Sequence, residues 1–580
     1  MSEPLHHTTA RVFLDGLKEA GIDWLFCNFG TDHVTLIDEL ALAEQEGRAM
    51  PEVILCPHEN VAIHMAGGYA ALTGRGQGVM VHVDAGTANA VMGLHNLLCA
   101  RLPVLLMAGK APFALHGELP GARDNYVHYV QDPFDIASLV RPYVRWEYNL
   151  PSGRVAKEVI RRAHSIMHNE PAGPVYMTLP RETLAETVPM QDVHSYSAQR
   201  YGSGQAGALP DPLAQQIAAE LIHARHPLIV TAYAGRKPEA VAALEALAEL
   251  CGVPVVVHNP HQVCFSPEHP WFGGFDAGPW LAHTDVGLLI DVDVPWLPQA
   301  GQPAAGSRWA HIDVDPLKTD FPVWGFATDV RQQADATTAL QQIIEKVHTL
   351  ADEGWAERVA ARREAMEQRR HKRQEQWRAL AASPGADAAL NPAWVCAQIH
   401  AALDAQDVVV NEGIRNSPHV LQQIPRTRPG TLIGAAGGGL GYSAGMALGA
   451  ALALREQGST ARVVHVEGDG GFHFSTPTAV YAVAQQYRLP ILSVVLDNGG
   501  WQAVKEAVVR MHPDGAAVRT QQFHARLGVE PRQFEQVAMA FGAHGERVTQ
   551  ADELQPALQR CLQAMGRGQA ALLVVQIQPL

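Results

Sequence analysis

Short β-branched runs alternate with helical patterns along almost the whole chain, and this alternation is the tightest limit on its fold. A strand followed by a helix and another strand cannot close as a hairpin, so it builds βα units with parallel strands. The first block reads strand "WLFCNFG", helix "HVTLIDELALAEQEG", strand "EVILC", helix "ENVAIHMAGGYAALTG", strand "GVMVHVD", helix "ANAVMGLHNLLCA", and strands "PVLLMAG" and "PVYMTLP". A polar stretch, "DVHSYSAQRYGSGQAGALPDP", then interrupts the rhythm as a linker would. The second block carries strands "PLIVTA", "VPVVV", "VGLLIDVDV" and "WAHIDVD"; the third carries "DVVVNEG", "RVVHVEGDGG", "PILSVVLDNGG" and "AALLVVQI". At 580 residues the chain exceeds a single core. The expected fold class is α/β, with three doubly wound parallel-sheet domains at 1–190, 191–350 and 391–580 and a charged linker helix at 351–390.

Charge and composition exclude several functions. A formal charge of −15 argues against nucleic acid as a partner. The one basic run, "RRHKR" at Arg369–Arg373, sits among acids and reads as a solvated helix face. Seven scattered cysteines without a CxxC pair suit reduced thiols and a cytoplasmic setting, and the N-terminus lacks the apolar core of an export signal. The uncharged run "GAAGGGLGYSAGMALGAALAL", Gly434 to Leu454, is long enough to span a bilayer. Its glycine-triplet start and weak hydrophobicity favour a buried loop leading into a core helix, so no membrane is expected.

Chemistry concentrates in "VVHVEGDGGFHF" and "ILSVVLDNGGW". Parallel α/β sheets bind ligands beyond the carboxyl ends of their strands, and Asp469 and Asn498 fall at two such ends with one helix between them. A right-handed crossover brings the two ends to one crevice. A carboxylate, an amide oxygen and a backbone carbonyl suit Mg²⁺ or Ca²⁺, with phosphate oxygens and water completing the shell. Gly468, Gly470 and Gly471 let the backbone approach a phosphate. There is no P-loop GK[ST], and "GDGGFH" lacks dinucleotide-binding spacing.

This pattern resembles the thiamine-diphosphate enzymes of the acetolactate synthase and benzoylformate decarboxylase superfamily, whose fingerprint is GDG followed by an Asn-rich strand end. "LDN" stands where those enzymes usually carry two asparagines. The resemblance implies a pyrimidine-binding, a middle and a diphosphate-binding domain, with thiamine diphosphate and Mg²⁺ as cofactors. It implies Asp469, the Asn498 side chain and the Gly500 carbonyl as metal ligands. "CPHENVAIHMAGGYAALTG" matches the stretch carrying the glutamate that activates the cofactor's aminopyrimidine, which makes Glu59 that residue. "NEGIRN" and "GAAGGGLGYSAGMALG" resemble the segment gripping the cofactor's middle. Gly438 or Gly439 would supply a carbonyl to the pyrimidine amine, Leu440 an apolar wedge, and Glu412, Gly413 and Ile414 a strand end near the diphosphate. In relatives the cofactor lies between subunits, so a homodimer or homotetramer is implied.

The substrate signal is thinner. "VMVHVDAGTANAVMGL" and "FCNFGTDH" resemble benzoylformate decarboxylase, with His82 as its catalytic histidine and Thr31 where a serine meets the substrate carboxylate. A strand-end histidine beside a cofactor can move protons at a reacting carbon. "HYVQD" offers Gln131 near the active-site glutamine of acetolactate synthases and benzaldehyde lyases, offset by one residue. "LLIDVDVPWLP" lacks the arginine of flavin-binding relatives, so FAD is not expected. The expected function is decarboxylation of a small 2-oxo acid. The alternatives are an acetolactate-synthase-like carboligation that transfers a two-carbon unit, cleavage of an acyloin, and a non-catalytic subunit that keeps the fold. Residues 504–531 would cover the active site.

Overall fold

The apolar runs fold into parallel sheets flanked by helices. The computed structural model describes residues 5–195, 198–434, 436–529 and 531–579. Tyr196 and Ser197 of the expected linker, Ala435 of the glycine run and Glu530 of the 504–531 segment lie outside the described residues.

The chain divides into two compact units: Met1–Gly204, Ala436–Val548 and Pro556–Leu580 form one, and Gln205–Ala435 with Thr549–Gln555 the other. In the first unit, one sheet orders its strands Glu52–Leu55, Trp24–Cys27, Gln77–Val81, Val104–Lys110, Val175–Pro180 and Glu147–Asn149, every neighbouring pair parallel. Its central strands are buried along their length because helices cover both faces, hence the unbroken apolar runs. A second parallel set runs Val463–Gly468, Ile491–Asp497, Ala571–Gln576, His544–Val548.

The helices Glu59–Thr73 and Ser443–Glu456 belong to this same unit and are buried almost all round. They meet through small residues. A Cβ added at Gly68 would strike the Met446 carbonyl, and one at Gly449 the Met65 carbonyl, so the two backbones touch. The run from Gly434 thus leads into a core helix, and no helix among the described residues is long and apolar enough to cross a membrane.

The second unit holds a six-stranded parallel sheet ordered Phe272–Gly274, Val255–Val257, Pro227–Thr231, Val286–Ile290, Arg308–Asp313, Val330–Gln333. It also holds the long helix Trp355–Leu380 and the parallel pair Val408–Glu412 with Leu432–Ile433. Among the described residues, the strands of the six-stranded sheets that are absent from the sequence reading lie at sheet edges: Glu147–Asn149, Phe272–Gly274, Val330–Gln333, Leu432–Ile433 and His544–Val548. An edge strand has one neighbour and needs no continuous apolar run.

Candidate functional site

Strands Val463–Gly468 and Ile491–Asp497 pair directly, with Gly468 opposite Leu496, so their carboxyl ends carry Asp469 and Asp497–Asn498 side by side. Asp469 opens the short helix Asp469–Phe474 and is 2% exposed. Its Oδ1 accepts from the Gly470 N–H at 3.0 Å, whereas Oδ2 is buried with no hydrogen-bond partner among the described residues. Burial, reinforced by the nearby Asp497 charge, pushes this carboxyl up to about 7. An orphaned anionic oxygen of this kind calls for a cation.

Asn498 Oδ1 accepts from the Gly500 N–H at 3.1 Å, and the Gly500 carbonyl accepts from the Gln502 N–H at 3.1 Å. Both oxygens keep a second lone pair. The loop is fastened from outside: Trp501 donates its N–H to the Ala525 carbonyl at 2.8 Å, and Leu527 its N–H to the Gly499 carbonyl at 3.0 Å. Where the resemblance led us to expect a second asparagine, Asp497 is buried and bound by Arg532 through Nε at 3.0 Å and Nη2 at 2.6 Å. That charge pair is a component sequence reasoning missed; only the acid in "LDN" hinted that a cation must answer it. Gly468 has open space where a side chain would stand, as a phosphate cradle requires, and Gly470 lies against the Trp501 indole. Gly471 is buried in the first turn of the helix.

Glu59 is the first residue of its helix and is 8% exposed. Its Oε2 accepts from Asn89 Nδ2 at 3.1 Å. The neighbouring Asn60 side chain donates to the Gly441 carbonyl at 3.1 Å and the Phe474 carbonyl at 3.3 Å. Glu59, the glycine loop and the helix begun by Asp469 are therefore drawn to one place. Gly438 and Gly439 differ. The Gly439 N–H and carbonyl are both taken by the Asn96 side chain, at 3.1 and 3.0 Å. Asn96 also donates to His64 Nε2 at 3.1 Å, and burial pushes His64 down to about 4, so it stays a neutral acceptor. Gly438 is exposed, its N–H reaches His95 Nε2 at 3.3 Å, and nothing fills the space beside it. Leu440 is half-buried next to it.

Glu412, Gly413 and Ile414 fall in the other compact unit, at the end of strand Val408–Glu412, where Gly413 donates its N–H to Asn411 Oδ1 at 3.1 Å. Glu412 is buried, and Ile414 is held at φ +50°.

The remaining residues cluster around an acid that the sequence reading passed over. Asp32, 3% exposed, accepts from His82 Nδ1 at 2.6 Å through Oδ1 and from the Val83 N–H at 3.3 Å through Oδ2. Against the upward push of burial, hydrogen bonds with His33 and His82 hold the Asp32 carboxyl well below the usual range. The same bond to Asp32 raises the His82 imidazole above its ordinary value, burial opposing it and a hydrogen bond with Gln131 adding to it. Val83 sits at φ +34°, a costly conformation for a buried β-branched residue, and the Asp32 bond helps to hold it there. Side chains at Gly30 or Gly109 would collide with His82 and Asp32. Thr31 is exposed at the start of the Thr31–His33 turn. The 50 positions between Asp32 and His82 hid their pairing; the only sequence signal was an acid beside Thr31 in "GTDH".

Residues 7–139 match the family "Thiamine pyrophosphate enzyme, N-terminal TPP binding domain" and residues 416–575 "Thiamine pyrophosphate enzyme, C-terminal TPP binding domain". The chain is 25% identical over 566 residues to benzoylformate decarboxylase of Pseudomonas aeruginosa, covering 94% of this chain and 95% of that one. It is 23% identical over 538 residues to the acetolactate synthase isozyme 3 large subunit of Escherichia coli, covering 88% and 85%. A solved benzoylformate decarboxylase from Polynucleobacter necessarius superposes with a TM-score of 0.78 at 19% identity, covering 99% and 100%. The Rhodococcus jostii 4-hydroxybenzoylformate decarboxylase superposes at 0.76 and 20% identity with the same coverage. The expected family and α/β fold are thereby borne out: the chain belongs to the thiamine-diphosphate-dependent enzymes that include benzoylformate decarboxylase and acetolactate synthase.

Proposed function

We propose that the protein is a thiamine-diphosphate- and Mg²⁺-dependent decarboxylase of a small 2-oxo acid. The observation that carries the metal and diphosphate reading is the buried, partnerless Oδ2 of Asp469 beside the open Gly468 backbone. Asp469, the Asn498 amide oxygen and the Gly500 carbonyl would hold Mg²⁺, which would bind the diphosphate. Gly468, Gly470 and Gly471 would accommodate the diphosphate, and Glu412–Ile414 are assigned to the same end by resemblance. Bound thiamine diphosphate supplies a nucleophilic carbon and an electron sink for loss of carbon dioxide.

This chain's residues would do the rest. Glu59 exchanges a proton with the far nitrogen of the aminopyrimidine. Of the two candidate carbonyls, Gly438's is favoured for the pyrimidine amine, since the Asn96 side chain already engages Gly439's. Leu440 would supply the apolar contact to the middle of the cofactor. Thr31 orients the substrate carboxylate and Gln131 steadies His82. Because Nδ1 of His82 faces the Asp32 carboxylate, Nε2 is the nitrogen that would give or take a proton at C2 of the substrate. The C1–C2 bond breaks, carbon dioxide leaves, and the proton delivered to C2 yields an aldehyde. Relatives named acetolactate synthase support a second reading, in which the same carbon is passed to an acceptor carbonyl instead. Analysing products from 2-oxo acids with and without an added aldehyde separates the two.

The first test is calorimetric titration of the apo protein with thiamine diphosphate, with Mg²⁺ present or chelated, on wild type and Asp469→Ala. Micromolar binding that requires metal and is lost in the variant is expected. Binding indifferent to both metal and Asp469 would refute the assignment.

A further inference from the structure

The basic run Arg369–Arg373 is more than a solvated face. Within the second unit, Arg373 donates to the Phe272 carbonyl at 2.6 Å, and the Arg369 guanidinium lies 4.6 Å from the centre of the Trp280 ring. Here the helix Trp355–Leu380 crosses the amino ends of the strands Pro227–Thr231, Val255–Val257 and Val286–Ile290 and leaves a cavity of ≈380 Å³. Volumes of this order, roughly 300–1,000 Å³, are usual for small-molecule sites. Its walls are chiefly apolar, formed by Pro227, Pro254, Trp280 and Met366, and no aspartate or glutamate lines it among the described residues.

Besides Arg369, the basic side chains around this cavity fall into two groups. Arg358 and Arg362 have structural work: Arg358 reaches the Ile222 carbonyl at 3.0 Å and Asp352 at 2.6 Å, and Arg362 reaches the Cys251 carbonyl at 2.6 Å. They close the carboxyl ends of the helices Asp211–His223 and Pro238–Cys251. Arg225, His226 and His283 are exposed on the rim and form no ion pair among the described residues. The nearby acid, Asp285, is occupied by backbone, accepting the N–H of Arg225 at 2.6 Å and that of His226 at 2.9 Å. A mostly apolar slot with no carboxylate in its lining and the Arg225 and Arg369 side chains at its rim suits a ligand with a flat apolar body and an anionic head.

We propose that this cavity is a binding site for a small planar organic anion of the aryl-carboxylate class. The ring lies among Trp280, Pro227 and Pro254, and the carboxylate meets Arg225 and Arg369. The site stands at the amino edge of its sheet, the opposite edge from the carboxyl ends at which such sheets bind nucleotides. It contains none of the residues assigned to the diphosphate, the metal or the 2-oxo acid, so it stands or falls separately from the catalytic reading.

Calorimetric titration with 2-naphthoate tests it, with uncharged 2-naphthamide as control, on wild type, Arg225→Glu/Arg369→Glu and Asp469→Ala. Binding of naphthoate about tenfold or more tighter than naphthamide is expected. The double variant should lose that preference with an unchanged melting temperature, while Asp469→Ala, crippled at the metal grip, should retain it. Equal affinity for acid and amide, or wild-type affinity in the double variant, would overturn the proposal. If the double variant melts early, His283→Glu replaces it: weakening of about threefold or more upholds the site, and no change overturns it.

Discussion

At the residue scale, Asp32 shows how a side chain distant in sequence can govern one that sequence reasoning had found. His82 was legible because it ends an apolar strand within a family-like stretch; Asp32 was not, because pairing across 50 positions leaves no periodic trace. The contact predicts a specific behaviour. The carboxylate raises the His82 imidazole by favouring its charged form, so a neutral amide at position 32 removes that stabilisation and the imidazole titrates lower. Asp32→Asn is expected to move the His82 titration downward, followed by NMR with the His82 signals assigned through His82→Gln. Activity should fall about a hundredfold, the lower end of what a positioned acid–base group contributes. An unmoved titration would show that Asp32 does not set the state of His82, whatever happens to activity. The placing of Asp469 needed less: an acid between glycines at one strand end, with an amide at the next, sufficed to expect the two side by side. What the sequence left open was the pairing of Asp497 with Arg532, which depends on a loop returning over the site.

At the element scale, legibility followed burial. Central strands such as Val104–Lys110 and Ile491–Asp497 need apolar side chains on both faces and were visible as unbroken runs. Glu147–Asn149 and Val330–Gln333, half exposed at the edges, were not. The helix pair Glu59–Thr73 and Ser443–Glu456 marks a different limit. Glycines and alanines announced a buried helix after Gly434, but nothing in them named its partner. The close approach at Gly68 and Gly449 carries a measurable cost. Gly68→Ala or Gly449→Ala would drive a methyl group into a backbone carbonyl that cannot move without shifting a helix. Each is expected to destabilise the fold by about 2 kcal/mol or more, read from urea unfolding. Thiamine diphosphate affinity should fall as well, because one helix begins with Glu59 and the other follows Leu440 and Gly441. A wild-type unfolding midpoint would mean that the helices are not in backbone contact.

At the scale of the whole molecule, one segment is unusually rich in exposed apolar side chains. Between Phe113 and Leu139 the chain exposes Phe113, Leu115, Leu119, Tyr126, Tyr129, Val130 and Phe134, with Tyr126 at 78% exposure. Large apolar side chains exposed in this number along one segment mark an interaction site. The same segment supplies Gln131, which helps to raise the His82 imidazole, so whatever covers it stands close to the proposed chemistry. A second copy of the chain meets both demands, in line with the expected homodimer or homotetramer. Sedimentation should give a multiple of the 62.7 kDa chain mass. Tyr126→Asp/Phe134→Asp places two charges on this face, where burial without a partner costs several kcal/mol in total, and should shift the protein toward monomer. If the cofactor is held between subunits, that monomer loses thiamine diphosphate affinity although Asp469, Asn498 and Glu59 are untouched, and raising the protein concentration restores part of it by mass action. A monomeric variant that binds cofactor like wild type would assign the whole grip to a single chain and leave the apolar face to another purpose.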